Sequence, residues 1–442
     1  MRIQLSDHFT YGKLLRFTFP TMLMMVFTSL YGVVDGLFVT NFAGKTALAA
    51  INFAFPVLNI LATFGYMFGA GGSALVARTL GEGKREKANR LFSLFVYVTI
   101  ALGVVFAVAG VFLLRPLLSA LGAEGDMLDQ AVLYGMILLV SLPFWNLQFL
   151  FQIFFVTAEK PKLGLYVTLL AGVTNMVLDA LFVGLFDWQI AGAAAATAIS
   201  QIVGGGIPLW YFFKKNDSLL RLGRPDFDGS AMLRATANGS SELVSGVSGS
   251  LVGILYNTQL MAYAGEDGVA AYSIMMYVSF VFIGIFFGYA NGSAPVISYH
   301  YGAQNHGELK NVFRKSVLLY LSASVGMLAL SQLLAGPLST VFAGYDPILY
   351  EMTLRGFRIY ALSFLFSGIA IMGSSFFTAL NNGAVSALLS FLRTVVFQVS
   401  CVLWFPTYWE LDGIWLSIVA AELLAMLMSA LFLVAMRKKY QY

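Results

Sequence analysis

Apolar runs of 20 or more residues recur about twelve times along the chain, at roughly 14–40, 50–79, 91–114, 128–156, 163–185, 189–213, 238–263, 268–298, 316–336, 350–377, 383–406 and 412–436. A helix of that length crosses the ~30 Å hydrocarbon core of a bilayer. None of the runs alternates with period two, and backbone groups in lipid must satisfy one another, so helices are expected rather than a barrel. Composition agrees. Hydrophobic residues make up 59% of the chain and charged residues 11%, where about 25% charge is usual for a soluble domain. The first run follows Arg2, Lys13 and Arg16 and is far longer than a signal-peptide core, so it is read as a retained transmembrane helix. The expected fold is an all-α polytopic membrane protein with twelve transmembrane helices.

Basic residues collect on alternate connections. Of the 26 Lys and Arg residues, 21 lie in the N-terminal arm, at 78–90, at 160–162, at 214–234, at 310–315 and in the tail 437–439. The opposite connections carry Lys45, Arg115, Arg355 and Arg358 among many acids, including Glu124, Asp126, Asp187, Glu266, Asp267 and Asp346. By the positive-inside rule both termini are expected in the cytoplasm of a multi-pass cell-membrane protein, which requires an even number of spans. The single cysteine, Cys401, permits no intramolecular disulfide.

Shifted by 221 residues, half its length, the chain overlays itself without gaps. Six glycines then coincide (32/253, 44/265, 71/292, 81/302, 135/356 and 192/413), where about two would by chance. Pro116 meets Pro337, Trp188 meets Trp409, and the phrase at 155–158 returns at 376–379. Six spans return each half to its starting side, so the halves are parallel repeats about an axis along the membrane normal. The expected domains are an N-lobe at 1–213, a cytoplasmic linker at 214–234 and a C-lobe at 235–442, two pseudo-symmetric six-helix lobes facing a central cleft.

Ionisable residues inside the spans are few. Asp35 lies in the first, flanked by Gly32 and Gly36, whose small-xxx-small spacing is expected to admit another helix closely. Asn175 and Asp179 stand one turn apart on the fifth and share a face. A mid-bilayer carboxylate costs about 2.5–3.5 kcal/mol on the mildest scale, so such acids persist mainly where they line a pathway or polar site. The repeat places Tyr256 opposite Asp35 and Ser400 opposite Asp179, so the architecture itself does not call for acids there. Thr197 on the sixth span would add a hydroxyl. Glu242 is the lone acid of the seventh span, either a site residue or an acid at the start of a helix. Arg393 and Glu422, at comparable depth in the eleventh and twelfth, are expected to neutralise each other.

The stretch YGVVDGLFV around Asp35, Pro20 upstream of it, the loop approach FFVTAEKPKLGLYV and the run NMVLDALFVGL followed by IAGAAAAT resemble the MATE (multidrug and toxic compound extrusion) family over the whole chain. The resemblance implies an ion-coupling cluster of Asp35, Asn175, Asp179 and Thr197, which would hold H+ or Na+. It also implies a substrate cavity touched by Tyr31, Tyr134 and Gln152, with Glu242 contributed by the C-lobe. The tenth span offers Ser374 and Ser375 where some members carry an acid, which counts against a C-lobe sodium site.

The function expected is H+-coupled or Na+-coupled antiport of amphipathic, cationic organic compounds out of the cytoplasm, by a monomer in membrane lipid with no cofactor beyond the coupling ion. A flippase for lipid-linked sugars or polysaccharides is the alternative within transport and would be expected to show a basic cavity. Catalysis is not expected: the three histidines, His8, His300 and His306, lie near the span edges, and no HExxH spacing occurs. No nucleic-acid partner is expected either.

Overall fold

A computed structural model of the chain describes residues 3–38, 44–344 and 346–442. Every regular element among the described residues is helical. The first lobe runs α1 (Tyr11–Phe38), α2 (Gly44–Gly81), α3 (Arg85–Ala120), α4 (Gly125–Thr157), α5 (Pro161–Asp179), continued by a π-helical turn at Ala180–Leu185, and α6 (Gln189–Phe213). The second runs α7 (Gly229–Gly302), α8 (His306–Ala343), α9 (Pro347–Tyr360), α10 (Phe364–Ala379), α11 (Gly383–Phe391), a π-helical turn at Leu392–Phe397, α12 (Gln398–Trp404) and α13 (Pro406–Tyr440).

Eleven helical stretches among the described residues are long and apolar enough to cross a membrane. One of them counts twice. The 74 residues of α7 would extend ~110 Å as a single rod, yet the rings of Tyr256 and Tyr272, sixteen residues apart, stack with centroids at 5.5 Å. The chain reverses between them at Gly265, whose φ of 61° is the left-handed conformation that glycine adopts without strain. With α7 counted as spans seven and eight, the described residues hold the expected twelve. Cap residues set several starts: Asp228 accepts the Ala231 N–H at 2.9 Å, Asn305 that of Glu308 at 3.1 Å, and Asp346 that of Ile348 at 2.9 Å.

The lobes meet where α1 and α2 pack on α7. A Cβ added at Gly81 would strike the Tyr299 carbonyl oxygen, and one at Gly302 would strike that of Arg78. These contacts exchange under the 221-residue shift. A second pair does the same, since Gly71 abuts Ala235 and Gly239 while Gly292 sits 3.0 Å from Thr18. The approach loosens away from the linker end. Gly284 is 3.5 Å from the Met25 carbonyl, Gly246 meets only the Thr63 side chain at 3.0 Å, and Gly249, Gly253 and Gly32 face open space. The seam is therefore closed at the linker end and splayed at the other. Gly32 thus does not admit a helix; next to it, a Cβ added at Gly172 of α5 would lie 3.1 Å from the Tyr31 ring. The surroundings of Gly36 lie outside the described residues.

Connections at the linker end are bound down. The linker is pinned to the first lobe by Lys160–Asp217 at 2.5 Å, Arg90–Asp226 at 3.3 Å and the Arg221 N–H donating to Asn89 at 2.9 Å, and α7 begins within it at Gly229. The hydrogen bond from Lys160 holds the Asp217 carboxyl below the usual carboxylate range, so the acid stays charged. Residues 3–10 form a strap across both lobes. The Leu5 N–H donates to Glu159 at 2.7 Å in the first lobe, and the Phe9 N–H to Glu308 at 2.8 Å in the second. His8 Nδ1 lies 2.6 Å from Glu308, Lys315 donates to the Phe9 carbonyl at 2.6 Å, and Leu5 and Phe9 are wholly buried.

Candidate functional site

Five of the expected residues converge in the first lobe. Asp35 near the end of α1 and Asp179 at the end of α5 face each other as neighbouring carboxyl groups, with Tyr134 of α4 beside both. Asn175, one turn before Asp179, donates to the Thr197 hydroxyl of α6 at 3.4 Å. Asp179 has 0% exposure, and neither of its carboxyl oxygens has a hydrogen-bond partner; one oxygen of Asp35 is likewise buried and unpartnered. The helix changes pitch immediately after Asp179, at the π-helical Ala180–Leu185, a widening that recurs at functional positions.

Two carboxyl groups this close, in an apolar lobe and with three of their oxygens unpartnered, cannot both remain ionised cheaply. The arrangement can take up a proton between them or a monovalent cation. In either case the neutral oxygens of Asn175 and Thr197 stand at hand. Tyr31 flanks the acids beside Thr28 and Gln148, and Gln152, 4% exposed, keeps its Nε2 unpartnered on α4.

Glu242 belongs to a different layer. It is half-buried on α7 next to Tyr66 of α2, whose hydroxyl accepts from Asn291 of the other lobe at 2.5 Å. Gly239 lies one turn away in the tight part of the seam, so Glu242, Tyr66 and Asn291 form the floor of the cleft where the lobes begin to part. Arg393 is close enough to act on Glu242 through its charge, but it is held by Glu422, with Nε 3.0 and 3.1 Å from the two carboxylate oxygens. That pair is formed as expected. Ser374 of the tenth span bonds Ser390 at 2.8 Å and Ser386 at 3.0 Å, a hydroxyl cluster with no acid among those partners.

Gln148 is the cavity residue that sequence did not single out. It stands one turn from Gln152 on α4 and would be struck by a Cβ at Gly204 of α6. The i, i+4 amide pair was the available signal. Tyr66 and Asn291 carried none, since each becomes notable only through its partner across the seam.

The pattern of the MatE family matches residues 20–181 and 243–403, one segment in each lobe. The multidrug export protein MepA of Staphylococcus aureus (strain MRSA252) is 23% identical over 437 residues, covering 97% of this chain and 94% of MepA. MepA of Staphylococcus haemolyticus (strain JCSC1435) is 24% identical over 432 residues with the same coverage. An outward-facing multidrug resistance MATE family transporter of the MOP superfamily superposes with a TM-score of 0.91 at 23% identity, over 98% of both chains. A MOP superfamily transporter from Pyrococcus furiosus Vc1, described as having a binding pocket of reversed polarity that suggests a different function, superposes at 0.90 with 22% identity and the same coverage. The matched segments, the twelve spans and the paired lobes agree: the chain belongs to the MatE family.

Proposed function

We propose that the protein is a proton-coupled antiporter that exports amphipathic organic cations from the cytoplasm, with both termini and the linker on the cytoplasmic side of the cell membrane. The observation that carries this reading is the facing pair Asp35 and Asp179, with both carboxyl oxygens of Asp179 and one of Asp35 buried and without a hydrogen-bond partner. A site that must be neutralised to stay buried, and that lies beside a cleft open away from the linker end, can load a proton from outside and exchange it for a cationic substrate loaded from inside. Cleft polarity supports a cationic substrate. Asp35, Asp179 and Glu242 are acids without a base among their hydrogen-bond partners, whereas Arg393 is occupied by Glu422. The basic cavity expected of a flippase for lipid-linked sugars is not favoured by this distribution. The multidrug export function named for MepA points the same way.

Everted membrane vesicles offered a fluorescent organic cation in the external medium provide the test, with a pH gradient and a sodium gradient imposed separately and uptake into the lumen measured. The expected result is transport under the pH gradient and none under sodium alone. Transport under sodium alone would reassign the coupling ion; none under either, with the protein present at normal abundance, would overturn the antiport reading.

A further inference from the structure

Between α1, the start of α5 and the linker lies a cleft of about 450 Å³. Phe17, Pro20 and Leu163 wall it with apolar surface, and Arg16, Lys160 and Lys162 bring cations to it. The charges are not equivalent. Lys160 is taken by Asp217, and Glu159, the other acid of the cleft, accepts the Leu5 N–H. Arg16 and Lys162 are exposed, and neither has an ion pair among the described residues. The cleft therefore presents, above an apolar floor, two cations that have no ion pair among the described residues.

Its depth in the membrane follows from its neighbours. Tyr166 on the rim is 63% exposed, and close by on α6 Trp210 is 61% exposed with Lys214 Nζ 3.9 Å from its ring centroid. Exposed aromatic residues interleaved with lysines mark the headgroup level of a bilayer. Further into the membrane the same two helices turn apolar side chains outward, Phe19 on α1 and Leu170, Val173 and Val177 on α5. From Arg16 and Lys162 inward, the surface passes from positive charge to apolar groove to lipid-facing stripe. That is the profile of a molecule with an anionic head and hydrocarbon tails.

We propose that this cleft binds one anionic phospholipid of the leaflet on the linker side, its phosphate between Arg16 and Lys162 and its chains along the outward stripe of α1 and α5. Basic pockets between transmembrane helices hold acidic headgroups in this way. The two helices bridged are those that carry Asp35 and Asp179, so the lipid sets how α1 and α5 sit against each other. That last consequence rests on the proposed antiport; the binding does not.

The test uses the purified full-length protein in detergent, offered equal amounts of palmitoyl-oleoyl phosphatidylglycerol and phosphatidylcholine, with bound lipid counted by native mass spectrometry. The wild type is expected to retain phosphatidylglycerol in preference. Arg16→Gln combined with Lys162→Gln is expected to weaken its retention by roughly 25-fold, on the scale of juxtamembrane cations. Arg90→Gln, a basic residue outside the cleft, should change nothing, and glycerol phosphate should not displace the lipid. Both cleft residues are exposed, so the thermal midpoint in detergent should stay at the wild-type value. An undiminished preference in the double variant, an equal loss in Arg90→Gln, or displacement by glycerol phosphate would each overturn the proposal. Because no gradient or substrate is involved, lipid retention by a protein that fails in vesicles would sink the antiport reading alone.

Discussion

Asp179 has no exposure and no donor, which makes it a costly side chain to keep charged, and Asp35 shares that cost. On the proposed antiport the two acids share one coupling role, so Asp35→Asn and Asp179→Asn should each abolish gradient-driven efflux, and the double variant should lose no more than either alone. An amide is cheaper to bury than a carboxylate, so the thermal midpoint in detergent should hold or rise in all three. Substantial efflux in both single variants, or loss only through failure to fold, would make the acids structural. This quartet was legible because buried charge in an apolar span is expensive and because a spacing of four places Asn175 with Asp179. The role of Gly32 was misjudged for an equally physical reason: the spacing of small residues says that a close approach is possible, not which face meets a neighbour. Gln148 stayed hidden because amides in apolar helices are ordinary packing until their surroundings are known.

Among the elements, the long apolar helices were plain from sequence, and so was the reversal at Gly265, which falls in the gap between the runs 238–263 and 268–298. The π-helical turn after Asp179 was not, since it depends on packing that no local pattern records. The N-terminal strap is the clearest case. Before α1 the sequence shows only a short polar arm, yet its amides reach an acid in each lobe and its Leu5 and Phe9 are fully enclosed. Hydrogen bonds to a charged acceptor contribute about 1.5–3 kcal/mol each. Glu308→Gln should therefore raise amide hydrogen exchange at Phe9 by roughly tenfold or more, while exchange in the middle of α4 stays unchanged. Unaltered exchange at Phe9 would mean that apolar burial alone holds the strap.

For the molecule as a whole, the tight seam must part if the linker end is to open. Arg78 lies over the Tyr301 ring at 5.2 Å. Paired cysteines at these two positions, in a Cys401→Ala background, should be bridged by a bifunctional thiol reagent with a cleavable disulfide spacer and arrest efflux until the spacer is reduced. Efflux that persists through complete cross-linking would show that this end does not need to open. The repeat behind the seam was visible in the glycine coincidences at 71/292 and 81/302, because glycine is the residue that backbone contact demands. The splay at the far end was not, since it depends on which of two packings the lobes adopt. The reciprocity of Gly81 with Tyr299 and of Gly302 with Arg78 carries one more implication. A surface that maps onto its partner when the halves are exchanged is the kind by which identical subunits form a twofold dimer. In such a dimer every acid would occur twice. Joining the halves in one polypeptide frees them to diverge, so that Asp35 and Asp179 stand on one side of the axis while Tyr256 and Ser400 occupy the matching places on the other.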